Sequence, residues 1–227
     1  MALSIMQQTN TELGLDQERF VALWQRCARG DIAESSAPGV FKRVCDHYQE
    51  PHRHYHTPEH ILHCLQQFDE VKSRLQNPDA VELAIWFHDV IYQPKAKDNE
   101  LRSAQLFEQL SKGELDAEIR EQVYQLIMVT VHPSEPMTGD QQYMVDIDLS
   151  SFGLPRQRFD RDSRSVRDEF NHMSDADYYL SQQRFLQSLL NREYFFFTPE
   201  FRGRKEASAR ENIQKYLAEV EQAGLLQ

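Results

Sequence analysis

The chain has 227 residues, with 36 acidic and 25 basic side chains and a formal net charge of −11. This charge excludes a protein that coats nucleic-acid polymers through phosphate neutralisation, and it argues against a polybasic membrane anchor. The content of 40% hydrophobic and 27% charged residues is typical of a globular protein. The eight glycines are too widely spaced for the phosphate-binding loop of a Rossmann or P-loop protein.

The cysteine content and the N-terminal segment indicate the cellular compartment in which we expect the protein. The three cysteines include no C-x-x-C pair, which excludes a disulfide scaffold and a cysteine-built zinc ribbon. The first ten residues contain neither the basic nor the apolar stretch of a signal peptide. No apolar run approaches the roughly 20 residues needed to span a bilayer. We therefore expect a cytoplasmic protein without a membrane segment, and the oligomeric state stays open.

Apolar residues recur at helical spacing along nearly the whole chain. Two Thr-Pro-Glu segments, starting at Thr57 and Thr198, have the residue types that begin a helix. Asp79 is expected to cap a buried helix over 80–92, and Gly113 to follow the end of another. Apolar residues at helical spacing lie in segments 20–24, 40–48, 61–75, 80–92, 101–110, 119–130 and 209–220. Residues 145–152 form a short apolar segment, and 157–194 is predicted to form two helices.

No alternation typical of β-strands is present, so the sequence predicts an all-α fold of about eight to ten helices. Since no Pro-, Gly- or Ser-rich linker interrupts the chain, we expect a single domain over 1–227. Its core is predicted to cover about 40–155, with C-terminal helices over about 156–223 packed on that core.

Histidines are concentrated in one part of the chain. Six of the nine lie between positions 47 and 63, away from either terminus. His56 and His60 are four residues apart at a predicted helix start, where both can lie over the same face. His88 and Asp89 lie near the end of the most apolar predicted helix, where an unpaired carboxylate is costly.

Two more carboxylates, Asp146 and Asp148, lie in another short apolar stretch. Each of these residues alone is more often a hydrogen-bonded core group or a helix cap than a metal ligand. Because three separate predicted helices each carry such a residue in an apolar setting, together they predict a divalent metal site with nitrogen and oxygen ligands. Such a site can activate water for hydrolysis.

The order His60, His88-Asp89 and Asp148 resembles the H…HD…D motif of the HD superfamily of metal-dependent phosphohydrolases. The pattern R-x-Y-H-x-x-x-H, which runs here from Arg53 to His60, is similar to that of a bacterial branch of predicted phosphohydrolases in this superfamily. The resemblance implies an HD-domain-like helical bundle with additional C-terminal helices. It also implies metal ligation by these two histidines and two aspartates.

The segment around His56 further resembles the Y-H-N-x-x-H entry of cyclic-nucleotide phosphodiesterases, with Thr57 in place of the asparagine. That resemblance implies that His56 is the general acid. Asp148 is preferred to Asp146 as the ligand because Asp148-Leu149-Ser150 is similar to the metal-binding segment of those enzymes. Asp146 would then orient a ligand or water, and the choice between the two stays open.

Phosphate binding requires local cations in this acidic chain. Arg53, three residues from His56, is the best candidate to hold a phosphoryl oxygen through two hydrogen bonds. His132 is either a pocket residue or a cap at a helix end. For Arg167 the simpler interpretation is a residue of a solvated helix face or a member of an ion pair. The outer contacts expected for metal or substrate are Asp146, His132, Glu100, Lys95 and Arg167.

The resulting hypothesis is a phosphohydrolase with Asp89 among its catalytic residues, acting on a nucleotide or another small phosphoester or anhydride. One or two ions of manganese, iron, zinc, nickel or magnesium are expected, because mixed imidazole and carboxylate ligands suit several metals. Two alternatives stay open. The first is a di-iron oxygenase of the HD fold, and the second is a non-catalytic regulator that binds a nucleotide.

Overall fold

The structure is a computed structural model that describes residues 14–30, 36–132 and 138–226. Within these residues the chain forms α-helices and short 3-10 helices, with no β-strand and one isolated bridge between Ala28 and Leu115. The predicted all-α fold is confirmed. No helix in this part of the chain is both long and apolar enough to cross a membrane.

The helix bounds agree with most of the predicted segments. Short 3-10 helices follow three of the α-helices, at Lys72–Arg74, Val129–Val131 and Leu149–Gly153. The α-helices of the described residues are α1 (Gln17–Arg26), α2 (Ala37–Tyr48), α3 (Pro58–Val71), α4 (Pro78–Phe87), α5 (Asn99–Ser111), α6 (Ala117–Met128), α7 (Gly139–Asp148), α8 (Arg156–Glu169), α9 (Asp175–Leu190) and α10 (Pro199–Gln222).

The chain divides into two compact units, and the division falls inside α7, between Met144 and Val145. Helix α4 is central in the first unit, where it contacts α1, α3, α5 and α6. All its residues from Ala80 to Phe87 are buried, as expected for a helix that is apolar on most sides. The single domain predicted over 1–227 stays a prediction.

Aromatic rings from four helices fill the core beside α4. Phe20 of α1 meets Trp86 of α4 edge-on at 5.3 Å between ring centroids, and Phe87 meets Phe107 of α5 at 5.0 Å. Phe41 of α2 lies 6.1 Å from Trp86. These edge-to-face contacts stabilise the helix that ends directly before His88 and Asp89.

The predicted bounds of α4 are wrong at both ends. Its N-cap is Asn77, whose side chain accepts a hydrogen bond from the Ala80 amide at 3.2 Å. Asp79 instead forms an ion pair with Arg26 of α1 at 2.8 Å. Asn77 comes directly before a proline, which is the usual place for a capping side chain.

The C-terminal end of α4 comes earlier than predicted, at Phe87. Arg53 donates hydrogen bonds to the carbonyl oxygens of Asp89 and Val90 at 2.7 and 3.0 Å. Because these carbonyls are bound by a side chain from another segment, no further helical turn is needed to satisfy them. His88 and Asp89 therefore lie in the turn after α4, and residues 88–92 are called the HD turn below.

In the second unit α10 packs against the 3-10 helix Leu149–Gly153. The side chain of Asn212 donates to the carbonyl oxygens of Phe152 and Leu154 at 2.9 and 2.8 Å. Helices α8 and α9 divide the segment that the sequence predicted as two helices. Thus α10 and the segment after α7 are fixed to each other by the hydrogen bonds of the buried Asn212 side chain.

Candidate metal centre

Helix α3 presents His60 in its first turn. Thr57 takes the N-cap position with extended backbone, and Pro58 is the first helical residue, as predicted. The amide of His60 donates to the carbonyl oxygen of Thr57 at 3.0 Å, which begins the helix. The His60 side chain is buried, with 2% of its surface exposed.

His88 is held in an orientation suited to metal binding. Its Nδ1 lies 3.0 Å from the carbonyl oxygen of Ile85, which can only accept a hydrogen bond, so this nitrogen carries a proton. Its Nε2 lies 3.2 Å from Nε2 of His60 and 3.0 Å from Oδ2 of Asp89. The distance between His60 Nε2 and Asp89 Oδ2 is 3.6 Å. These three atoms therefore converge on one point in the first unit.

Asp148 is the last residue of α7. The beginning of this helix is fixed by Asp140, whose two carboxylate oxygens each accept a backbone amide, from Gln76 and Asn77, at 2.8 Å. One ligand atom from each of His60, His88, Asp89 and Asp148 lies within 4.8 Å of the others.

The electrostatics of Asp89 favour an ionised ligand. Burial acts to raise the pKa of its carboxyl group, but the neighbouring imidazoles of His88, His56 and His60 lower it by more. The net pKa is well below its usual range, so the carboxylate keeps its negative charge at neutral pH. An anionic oxygen beside two imidazole nitrogens is a suitable environment for a divalent cation.

The size and donor types of the group fit a single metal ion. Bonds from zinc to nitrogen and oxygen ligands are about 2.0–2.2 Å, so ligands across one ion are separated by up to about 4.4 Å. The 4.8 Å limit on the group is close to that value. Two imidazoles and two carboxylates suit several first-row metals. The group could thus hold a metal ion, whose identity the geometry leaves open.

His56 lies beside this group and is half-buried. Its ring stacks on Tyr92 with 4.0 Å between centroids and meets Tyr55 edge-on at 4.9 Å. The distance from its ring to that of His60 is 6.0 Å. His56 is therefore near the candidate ligands without belonging to the group, as a proton donor would be.

The geometry corrects the expectation for Arg53. Its side chain is fully buried, and four of its five N–H groups are already used. They donate to the carbonyl oxygens of His56, Asp89 and Val90 and to the carboxylate of Glu50. A guanidinium that binds protein acceptors in this way has no pair of donors for a phosphoryl group. Arg53 joins the loop before α3 to the HD turn.

Asp146 is also placed differently from the expectation that it orients a metal ligand. It is completely buried and accepts hydrogen bonds from the amides of Phe197 and Thr198 at 2.8 and 2.7 Å. The Thr198 hydroxyl donates to it at 2.7 Å. Burial raises the pKa of the Asp146 carboxyl to about 7, although these three hydrogen bonds act in the opposite direction. Asp146 thus fixes the start of α10.

Substitution of Asp146 is expected to affect mainly stability, and substitution of Asp148 mainly metal binding. Asp146→Ala leaves three donors without an acceptor and should lower the free energy of unfolding by about 3 kcal/mol, with little loss of bound metal. Asp148→Ala should lower Mn²⁺ affinity at least about 10-fold with a smaller effect on stability. Urea unfolding and Mn²⁺ titration of both variants measure this. The opposite pattern would assign the ligand to Asp146.

The other expected outer contacts have varied surroundings. His132 follows the 3-10 helix Val129–Val131 and is half-buried. Its backbone is in the left-handed region, with φ of 55°. Pro133 lies outside the described residues. Glu100 is half-buried in the first turn of α5, and Lys95 is exposed in the loop before it. None of these placements assigns a contact with metal or substrate.

Arg167 is used in the connection between α8 and α9. Its guanidinium donates to the carbonyl oxygens of Phe170 and Met173 at 2.8 and 3.1 Å and pairs with Asp175 at 2.6 Å. It also lies over the ring of Tyr178 at 4.8 Å from the centroid. These contacts join the end of α8 to the start of α9, and the substrate contact expected for Arg167 stays a prediction.

Sequence reasoning gave no role to Tyr92 or Cys64. Tyr92 contacts His56 across 36 positions of sequence, and nothing local indicates such a contact. The Sγ of Cys64 is 3.7 Å from Nε2 of His60. Cys64 and His60 are four residues apart on a predicted helix, and this spacing could have identified Cys64 as a neighbour of His60.

Comparisons of the chain with protein-family models, with curated proteins and with solved structures found no match. The fold and the buried histidine–aspartate group define an all-α protein with a candidate metal centre. Any function beyond that class must be inferred from the group itself and its surroundings.

Proposed function

We propose that this protein is a metal-dependent phosphohydrolase of the HD type that acts on a small phosphorylated substrate. The observation that carries the proposal is the buried group of His60, His88, Asp89 and Asp148. The neighbouring His56 supports it, because hydrolysis of a phosphoester needs a proton for the leaving oxygen. The resemblance of the histidine and aspartate order to the HD superfamily gives further support.

A divalent ion held by these four residues would supply Lewis-acid chemistry, lowering the pKa of a water molecule and polarising a phosphoryl oxygen. The protein prepares its ligands for this task. The Nδ1 proton of His88 is held by Ile85, which leaves Nε2 as the binding atom. Asp89 keeps its charge because the surrounding imidazoles lower its pKa.

His56 would donate a proton from its ring to the oxygen of the departing group. Its half-buried position gives it access to solvent, from which it can be protonated again. The net charge of −11 favours a small substrate, such as a nucleotide or another phosphoester or anhydride, over a nucleic-acid polymer. A cytoplasmic location suits such a substrate and is part of the proposal.

Hydrolysis of phosphoesters by the Mn²⁺-loaded protein tests the proposal. We expect turnover of at least one member of a panel of nucleotides and aryl phosphates. His56→Ala should lower kcat for that substrate about 10²- to 10⁴-fold, the usual contribution of a general acid, with unchanged metal content. His54→Ala, which removes an exposed histidine of the same loop, is the matched control.

Failure of the metal-loaded protein to hydrolyse any member of the panel would contradict the proposal. Iron-dependent oxygen uptake in its place would indicate the oxygenase alternative. Tight binding of a nucleotide without turnover would indicate a regulator.

A further inference from the structure

We propose that Tyr92 is a positioning residue, which holds the His56 imidazole in the orientation needed for proton donation. The inference rests on the proposed function, since it gives His56 a partner in that reaction. The Tyr92 ring is buried, and its centroid lies 4.0 Å from that of His56 at an interplanar angle of 28°. This is a face-to-face contact between a fixed ring and a half-exposed one.

The Tyr92 backbone is itself fixed. His52, from the loop before α3, has its Nε2 2.7 Å from the carbonyl oxygen of Tyr92. Because a carbonyl oxygen only accepts hydrogen bonds, His52 is the donor. The last residue of the HD turn, Tyr92, is thus bound to the loop before α3.

Arg53 fixes the same two segments from a second side. It donates to the carbonyl oxygens of His56 and Asp89, and its guanidinium lies 5.6 Å from the centroid of the Tyr92 ring. The backbone of His56 and the ring against which His56 stacks are therefore fixed to each other. The face of Tyr92, 4.0 Å from the His56 ring, restricts the rotation of the His56 side chain.

The restriction matters because proton transfer depends strongly on geometry. In the proposed reaction a water oxygen forms a new bond to phosphorus while the bond between phosphorus and the leaving oxygen breaks. The leaving oxygen takes the proton from His56, and the water releases a proton to solvent. An imidazole that rotates away from the leaving oxygen cannot supply this proton, and small misplacements of a catalytic group cost up to about 100-fold in rate.

The leaving-group dependence of the rate tests this role. Phenyl phosphate needs protonation of its leaving oxygen much more than p-nitrophenyl phosphate does. We expect Tyr92→Leu to lower kcat for phenyl phosphate about 10- to 100-fold and to affect p-nitrophenyl phosphate much less, with Mn²⁺ affinity retained. Tyr124→Leu, which removes a half-buried tyrosine of α6, is the matched control and should change neither rate.

A double-mutant cycle shows whether Tyr92 acts through His56. If it does, Tyr92→Leu has little further effect on phenyl phosphate hydrolysis in a His56→Ala background. Equal losses for both substrates, or additive effects of the two substitutions, would overturn the positioning role and indicate a general structural effect.

Nuclear magnetic resonance of histidine-labelled protein tests the same contact without any activity. Stacking on Tyr92 should shift the His56 ring protons upfield, and their signals are assigned by their absence in His56→Ala. Tyr92→Phe keeps the ring and should keep the shift, whereas Tyr92→Leu should remove it. An unshifted His56 signal in the unmodified protein would overturn this inference. A shifted signal in a protein without phosphohydrolase activity would contradict only the proposed function.

Discussion

An Asp89→Ala variant is expected to lose its bound metal and its hydrolytic activity together. The carboxylate of Asp89 lies 3.0 Å from Nε2 of His88 and 3.6 Å from Nε2 of His60. Substitutions that act only through the surroundings of a metal ligand cost about 10- to 100-fold in affinity or activity, and removal of a ligand should cost at least that. Elemental analysis of tag-free protein measures the metal directly.

Thermal unfolding provides a second measurement of the loss of metal binding in Asp89→Ala. At a free Mn²⁺ concentration 100 times the dissociation constant, binding stabilises the folded protein by about 2.7 kcal/mol. Asp89→Ala should remove at least about half of this gain. It should not unfold the metal-free protein, because the backbone carbonyl of Asp89 still accepts its bond from Arg53. Asp98→Ala, an exposed aspartate before α5, is the matched control. Full metal content and full activity in Asp89→Ala would contradict the site.

Replacement of Arg53 by methionine should cause a large loss of stability. The substitution keeps most of the apolar stem but removes the donors to three carbonyl oxygens and to the carboxylate of Glu50. Leaving such acceptors without partners in a buried position should lower the free energy of unfolding by about 3 kcal/mol. Urea unfolding at equilibrium measures this effect, and Arg43→Met, at an exposed position of α2, is the matched control.

The same variant separates the two roles considered for Arg53. A residue that holds a phosphoryl group would raise KM when replaced, with little effect on unfolding. A residue that joins the loop before α3 to the HD turn lowers stability instead. A change in KM at unchanged stability would restore the phosphate-binding role.

The fold class and the order of helices could be predicted because they depend on local patterns. Apolar spacing and Thr-Pro-Glu segments indicate helices from neighbouring residues alone, and α3 and α10 begin at Pro58 and Pro199 as those patterns indicate. The candidate metal group could be predicted because a buried carboxylate such as Asp89 needs a partner. The sequence resemblance then indicated which residues to group.

The roles of Arg53 and Asp146 could not be predicted in the same way. Both bind backbone groups of distant segments, and a backbone carbonyl or amide has no signature in the sequence. Arg53 reaches Asp89 across 36 positions, and Asp146 reaches Thr198 across 52. The charges of Arg53 and Asp146 near the predicted site therefore suggested contact with substrate or metal, whereas both side chains form hydrogen bonds with backbone groups. The early end of α4 has the same cause, since Arg53 takes the carbonyls that follow it.

The bonds between Asp146 and Thr198 have an evolutionary consequence. The carboxylate accepts the amide and the hydroxyl of Thr198, so the start of α10 depends on a residue far upstream. Loss of the Asp146 carboxylate leaves three donors without an acceptor, and two of them are backbone amides, which no substitution at position 198 removes. Position 146 therefore tolerates substitution less well than position 198, where a side chain without the hydroxyl still leaves the carboxylate two amide donors, although 51 residues of chain separate the two positions.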